Sequence, residues 1–138
     1  MADDGLRFGR VDGPAFSRRD ARGTFDEVAA AGRWESLALG RMEPGAVMGH
    51  HYHAHTVVFL WLLEGRARVV TVDVETGARH ESEIAGGQGY VFRPTEARAI
   101  TYLEASRFAL LKSHRFDPTA PDLIAYHVPS PPPGEPAG

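Results

Sequence analysis

The fold of this chain is constrained most by a succession of short strand-forming runs, each of which is closed by a turn. Residues 57–63 are apolar throughout, and residues 66–74 carry valines at alternate positions. Glu64-Gly65 and Glu75-Thr76-Gly77 are typical turn sequences, because glycine accepts the positive φ that tight turns need. No segment keeps a helical period, although residues 25–31 could form one helical turn. Short strands separated by glycine and proline turns predict an all-β sandwich or barrel.

The length of the chain, 138 residues, is enough for one domain with a sizeable core. We expect residues 1–20 to form an N-terminal arm, residues 21–128 to form the domain, and residues 129–138 to be a proline-rich, disordered tail. The predicted strands are residues 34–41, 50–63 with a break near 54–56, 66–74, 79–84, 90–93, 99–103 and 108–114.

The charge pattern excludes several classes of partner. The formal net charge is −3 and the arginines are scattered, which argues against nucleic acid and against an anionic membrane surface. No apolar stretch is as long as a membrane span, and the N-terminus has no secretory pattern. Cysteine is absent, so disulfides and thiolate chemistry are excluded. We expect a cytoplasmic protein.

Histidine is concentrated in one place: four of the seven histidines fall within the six residues from His50 to His55. Side chains alternate along a strand, so His51, His53 and His55 would share one face, about 7 Å apart for neighbours. His50 is out of phase, and we expect it at a surface or an interface. Imidazoles that converge on an interior are costly to desolvate unless a metal or a substrate proton uses them. His51, His53 and His55 are therefore candidate ligands of one divalent metal, zinc or iron, that keeps an open position.

Several motifs carry a resemblance to a known superfamily. Gly45, His51, His53 and Gly65 are spaced as in the first cupin motif, and residues 87–94 are similar to the second. Three further stretches are similar to the RmlC-like cupins, nearest to sugar-nucleotide epimerases and ketoisomerases and to the cupin domains of capsular polysaccharide enzymes. These stretches are Asp20-Ala21-Arg22-Gly23-Thr24-Phe25, Gly49-His50-His51-Tyr52-His53, and Phe116-Asp117-Pro118 with Pro121-Asp122.

The resemblance implies both a fold and an activity. The fold is the cupin double-stranded β-helix, a jelly-roll barrel. The activity that the resemblance implies is that of an isomerase or epimerase acting on a small carbonyl compound, with a nucleotide-linked deoxysugar as the expected substrate. His51 would then be the general base and Tyr102 the proton donor. Inside such a barrel, Arg98 would hold an anionic or carbonyl group by a fork of hydrogen bonds, whereas at the rim it would form a salt bridge.

The departures from the family pattern keep two other functions open. Met48 stands where the family usually has an arginine that binds phosphate or sugar. Val57 or Val58 replaces the glutamate of metal-binding cupins, and Arg98 or Ala99 replaces their second-motif histidine. The chain could be a metal-dependent cyclase, lyase or oxygenase of natural-product biosynthesis. It could equally be a non-catalytic binding module that has lost its metal site.

The run of residues 57–63 also bears on assembly. It is apolar on both faces of the predicted strand, so one face fills the barrel and the other needs a cover. Left at the surface, such a strand would expose too large an apolar patch for a monomer. We therefore expect a homodimer that forms through this run or through the N-terminal arm.

Overall fold

All the regular secondary structure of the described residues is β-strand. The computed structural model describes residues 5–129, and the predicted all-β class is confirmed over that range. The strands are β1 (Gly9–Val11), β2 (Phe16–Asp20), β3 (Gly23–Glu27), β4 (Ser36–Met42), β5 (Val47–His53), β6 (Val58–Glu64), β7 (Arg66–Asp73), β8 (Arg79–Ala85), β9 (Gln88–Phe92), β10 (Glu96–Tyr102), β11 (Ser106–Lys112) and β12 (Leu123–Ala125).

Two five-stranded antiparallel sheets form the body of the molecule. The first has the order β1-β9-β6-β11-β4 and the second has the order β12-β5-β10-β7-β8, while β2 and β3 form a hairpin of their own. Strands that follow one another, such as β5 and β6 or β6 and β7, lie in different sheets, so the chain crosses repeatedly from one sheet to the other. This is the jelly-roll arrangement of the predicted cupin barrel.

The side chains of both sheets alternate between an inner and an outer layer. In β6, Val58, Leu60 and Leu62 face the space between the sheets and pack in one cluster with residues of β7, β9, β10 and β11. Phe59 and Trp61 point the other way and are also buried. Leu6, Val11, Val28 and Trp34 of the same chain cover them. The second face of this run therefore does not need a partner subunit, contrary to the expectation from the sequence.

The N-terminal residues contain two strands: β1 pairs with β9 at an edge of the first sheet, and β2 pairs with β3. The predicted boundary at residue 20 falls at the turn of the β2–β3 hairpin, where Asp20 pairs with Gly23. No helical turn forms in residues 25–31, because Gly23–Glu27 pairs in register with Phe16–Asp20. The predicted tail lies outside the described residues except for Pro129. Among the described residues, no helix is long and apolar enough to cross a membrane.

Candidate active site

A β-bulge in β5 directs the side chains of His51 and His53 towards the interior. In the pairing of β5 with β10, Arg98 lies opposite His51 but Ala99 lies opposite Gly49, so His50 is an extra residue on β5. Gly49 and His50 adopt φ values of +116° and +57° to make this shift. As a result Met48, His51 and His53 all line one cavity between the sheets.

The imidazole of His51 has a defined tautomer. Its Nδ1 lies 3.0 Å from the carbonyl oxygen of Gly49. A carbonyl oxygen can only accept, so Nδ1 carries the proton and Nε2 keeps a free lone pair. Burial, followed by the charge of Arg98, lowers the pKa of His51, and the bond to Gly49 opposes that shift only in part. His51 is therefore a neutral imidazole at pH 7, as a general base must be.

His53 is more deeply buried than His51, with 7% of its surface exposed. Its ring meets the ring of His51 edge to face, with 5.4 Å between the centroids. Nδ1 of His53 has no hydrogen-bond partner among the described residues and lies 3.6 Å from a carboxylate oxygen of Asp122. Burial, helped by the charges of Arg98 and His51, lowers the pKa of His53 to about 4. His53 is therefore also neutral at pH 7.

Arg98 lies opposite His51 and is the largest fully buried side chain of the described residues, with 2% of its surface exposed. Its guanidinium carbon lies 4.3 Å from the ring centroid of Phe92. Its Nε and Nη2 atoms are buried, and no residue in the range 5–129 forms a hydrogen bond with them. Burial lowers the pKa of Arg98 to about 10, so the side chain stays charged at pH 7. The side chain of Arg98 therefore lines the cavity in the barrel interior and keeps two unpaired donors there, at the position where the sequence predicted either a fork for an anionic or carbonyl group or a salt bridge at the rim.

Two adjoining cavities form the site. The inner cavity has a volume of about 130 Å³ and lies between the sheets. The outer cavity has about 440 Å³ and is lined by the loop after β5, the end of β11 and the segment before β12. Both are lined by His53, Lys112 and Leu123, which therefore mark the junction between them. The other residues of the inner cavity are Met48, Gly49, His51, Val58, Phe92, Arg98, Ile100 and Leu110.

Solved structures with the same fold are known, whereas no family model and no curated protein matches the chain. One is the 3,5-epimerase RmlC of Legionella pneumophila in complex with dTDP-4-keto-L-rhamnose, with a TM-score of 0.70, 19% identity, and coverage of 86% of this chain and 71% of that chain. A 3,4-ketoisomerase from Helicobacter canadensis gives a TM-score of 0.69 at 13% identity, over 86% of this chain and 90% of that chain. The capsular polysaccharide assembling protein CapF of Staphylococcus aureus gives 0.62 at 20% identity, over 83% of this chain and 33% of that chain.

The chain has the RmlC-type cupin fold. The recognition made from the short motifs is confirmed at that level. At these identities the likeness extends to the fold, and the chemistry has to be argued from the side chains of this chain.

The structure does not bring all the predicted site residues together. His51, His53 and Arg98 line the inner cavity. His55 is exposed and lines only the outer cavity, because β5 ends at His53 and the chain then crosses to the other sheet. Tyr102 is fully buried, and its hydroxyl lies 3.4 Å from the sulfur of Met48 instead of lining either cavity. This position gives no support to the predicted role of Tyr102 as proton donor.

The predicted three-histidine metal centre does not fit this arrangement. Within residues 5–129, no group of three His, Cys, Asp or Glu side chains is placed so that it could hold a metal ion. His51 and His53 supply two imidazoles, and the buried charge of Arg98 beside them would repel a cation. The chemistry of this cavity is accordingly argued from its imidazoles and its cations.

Two further residues of the site escaped the sequence analysis. Lys112 is the only lysine of the chain and lines both cavities from β11. Asp122 fastens the segment before β12 onto the loop after β5: it accepts hydrogen bonds from the backbone N–H of His55 at 3.0 Å and from the hydroxyl of Thr56 at 2.6 Å. Burial alone would raise the pKa of Asp122, but these hydrogen bonds lower it overall. The sequence offered one signal for each residue: Lys112 is the only lysine of the chain, and Asp122 belongs to the Pro121-Asp122 motif.

Proposed function

We propose that this chain is an isomerase or epimerase that acts on a carbonyl compound by histidine proton transfer. One observation carries the proposal: the free Nε2 of a neutral, half-buried His51 and the unpaired donors of Arg98 belong to facing residues of adjacent strands and line one cavity. A base beside a fixed cation is the pair of groups that enolisation of a ketone requires.

In the proposed reaction, His51 removes a proton from the carbon next to the carbonyl group. The C–H bond breaks, an N–H bond forms at Nε2, and the electron pair moves through a new C=C bond to the carbonyl oxygen. Arg98 donates hydrogen bonds to that oxygen as its negative charge grows, in a cavity that is otherwise mostly apolar. Where the deprotonated carbon carries a hydroxyl group, the hydroxyl proton moves to the former carbonyl oxygen. The His51 imidazolium then returns its proton to the former carbonyl carbon, so the carbonyl and hydroxyl groups exchange places and an isomer forms. Epimerisation needs a donor on the opposite face, and Lys112 reaches the cavity from the other sheet.

The two cavities suit an extended substrate whose reacting end enters the inner cavity. The fold is shared with enzymes of dTDP-linked sugars, and this supports a nucleotide-linked deoxysugar as the first substrate to test. The larger part of such a substrate would occupy the outer cavity of about 440 Å³.

The proposal is tested by proton NMR in D₂O with a dTDP-linked 4-keto-6-deoxysugar. We expect exchange of the proton beside the carbonyl group, and we expect His51→Ala to slow it by at least about two orders of magnitude while the fold persists. His80→Ala is the matched control, because His80 is exposed and lines neither cavity. Exchange that continues at the parent rate in His51→Ala would refute His51 as the base.

The pH profile gives a second readout. The pKa of His51 is lowered from 6.5, so the base stays unprotonated over a wider range and the acidic limb of kcat/KM should lie below pH 6.5. A limb centred above 6.5 would contradict the assignment. A chain that binds the sugar nucleotide but exchanges no proton would instead be the non-catalytic binding module.

A further inference from the structure

The inner cavity is unbalanced in charge. Arg98 and Lys112 bring two cationic side chains to it, His51 and His53 are neutral, and no aspartate or glutamate lines it. The remaining lining residues are apolar apart from the backbone of Gly49. Asp122 lines the outer cavity only. The positive charge of the inner cavity is therefore not neutralised by the residues that line it.

Arg98 is the residue for which this imbalance matters most. Its guanidinium is buried, and Nε and Nη2 have no hydrogen-bond partner among residues 5–129. The charge of Glu96 favours the cation from a distance, but no residue of the described range forms an ion pair with it. A buried charge without a partner costs several kcal/mol, so proteins almost always pair it. The ring of Phe92 stabilises the cation only in part. The missing partner is thus expected to arrive with the ligand.

We propose that the inner cavity binds a carboxylate, so that the substrate is a carbonyl compound with a carboxylate at its reacting end. This inference rests on the proposed function for the statement that the ligand is a substrate, and it changes one role in that function. With such a substrate the fork of Arg98 holds the carboxylate, and Lys112 is the cation left to stabilise the carbonyl oxygen. A carboxylate matches the planar fork of a guanidinium with two parallel hydrogen bonds. A neutral ketone would leave the charge of Arg98 uncompensated in the ground state.

The size and walls of the cavity favour a carboxylate over a phosphate. The volume is about 130 Å³ and most of the wall is apolar. A phosphate group has further oxygens to satisfy beyond the fork, whereas a carboxylate has two, which the fork already occupies. Arg98 lies opposite His51 across adjacent strands, so a carboxylate held by Arg98 would place the next carbons of the substrate towards the base. A small 2-oxo acid and a keto sugar acid share this chemistry.

The binding test uses 2-oxobutyrate and its neutral amide, titrated into the full chain by calorimetry. We expect the acid to bind at least about tenfold more tightly than the amide. Arg98→Met, which keeps the apolar stem of the side chain, should remove this preference. Arg107→Met is the matched control, because Arg107 lies on β11 in an exposed ion pair with Glu64, and it should leave the preference unchanged.

Three outcomes would overturn the inference: equal binding of acid and amide, a preference that persists in Arg98→Met, and no saturable binding of the acid up to about 10 mM. If Arg98→Met does not fold, Arg98→Lys replaces it. That variant keeps the charge and loses the fork, so the preference for the acid should fall without vanishing. An unchanged preference in Arg98→Lys would overturn the bidentate geometry.

The same samples separate this inference from the proposed function. Exchange of the C3 protons of 2-oxobutyrate in D₂O reports proton transfer, whereas calorimetry reports carboxylate binding. His51→Ala should keep the preference for the acid and lose the exchange. Binding without exchange in the parent chain would support the carboxylate site and refute the isomerase. If the chain instead exchanges protons on a neutral ketone and binds the acid no more tightly than the amide, the isomerase is supported and the carboxylate site is refuted.

Discussion

At the scale of single residues, burial decides the chemistry of the three ionisable side chains at the centre of the site. His51 and His53 lose their charge because they are buried beside the Arg98 cation. Arg98 keeps its charge because even its lowered pKa lies far above neutrality. The site therefore combines neutral imidazoles with a fixed cation at pH 7. The sequence indicated that His51, His53 and Arg98 would share the site, and all three line the inner cavity. Their ionisation states depend on how deeply each side chain is buried, which the spacing of residues in the sequence does not encode.

His53 should make the fold sensitive to acid. Its pKa is about 4 in the folded chain against 6.5 as the ordinary value, so the unfolded chain binds more protons between these two pH values. The contribution of neutral His53 to the free energy of unfolding is therefore fully present above pH 6.5 and is lost as the pH falls towards 4. A shift of this size corresponds to about 3 kcal/mol in the free energy of unfolding. Urea denaturation across this range measures the slope.

Two variants test the assignment to His53. His53→Gln removes the titrating group and should flatten the dependence on pH, with His51 supplying what remains. His80→Gln is the control, because His80 is exposed, and it should leave the slope unchanged. Equal slopes in the parent chain and in His53→Gln would show that another group is responsible.

At the scale of the strand, the bulge in β5 sets which residues face the cavity. Simple alternation predicted that His51, His53 and His55 would share a face. The first pair does so, although the bulge at His50 shifts the phase before them. His55 does not share that face, because β5 ends at His53. The sequence had predicted a break in the strand near residues 54–56, which agrees with this end. Periodicity thus located the site but could not say where the chain leaves the sheet, because that depends on the pairing with β10 and β12.

Gly49 should be essential to this element. Its φ of +116° is strained for any other residue, and a Cβ there would run into the carbonyl oxygen of Arg98. We expect Gly49→Ala to lower the free energy of unfolding by about 2 kcal/mol or more. It should also reduce activity beyond the loss of stability, because the Gly49 carbonyl fixes the tautomer of His51. Urea denaturation and kcat/KM measure the two effects.

The matched control for Gly49 is Gly77. Gly77 also has a positive φ, +80°, but it lies at the hairpin turn between β7 and β8, where a Cβ would meet no atom within 4 Å. Gly77→Ala should therefore cost about 1 kcal/mol of backbone strain and leave kcat/KM unchanged. If the two variants are equally stable and equally active, the close approach of β5 to β10 does not position the base.

At the scale of the whole molecule, the described residues bury the central apolar runs but leave several large apolar side chains exposed, and the two most exposed leucines lie on β4. The N-terminal residues cover Phe59 and Trp61, and Tyr52, Tyr126 and Val128 pack on the outer face of the second sheet. Strand β4 is an unpaired edge of the first sheet. Its Leu37 and Leu39 are 65% and 73% exposed. The all-β class was predictable from turns and runs, whereas this exposed edge could be seen only once the strand order was known.

The homodimer was expected to form through residues 57–63 or through the N-terminal arm, and the first of these surfaces is covered by the chain itself. We now expect it to form through the β2–β3 hairpin, whose first strand lies in that arm, together with β4. Phe16 and Phe25 of that hairpin are more than half exposed, and a two-stranded hairpin is marginal in water without support. An unpaired apolar edge and an unsupported hairpin are surfaces of the kind that two-fold dimers bury.

We expect a dimer in sedimentation at micromolar concentration, and a monomer for the double variant Leu37→Asp with Leu39→Asp. Leu63→Asp is the control, because Leu63 is an exposed leucine near the end of β6, outside both elements, and it should stay dimeric. A monomeric parent chain, or a double variant that remains a dimer, would show that β4 is not the interface.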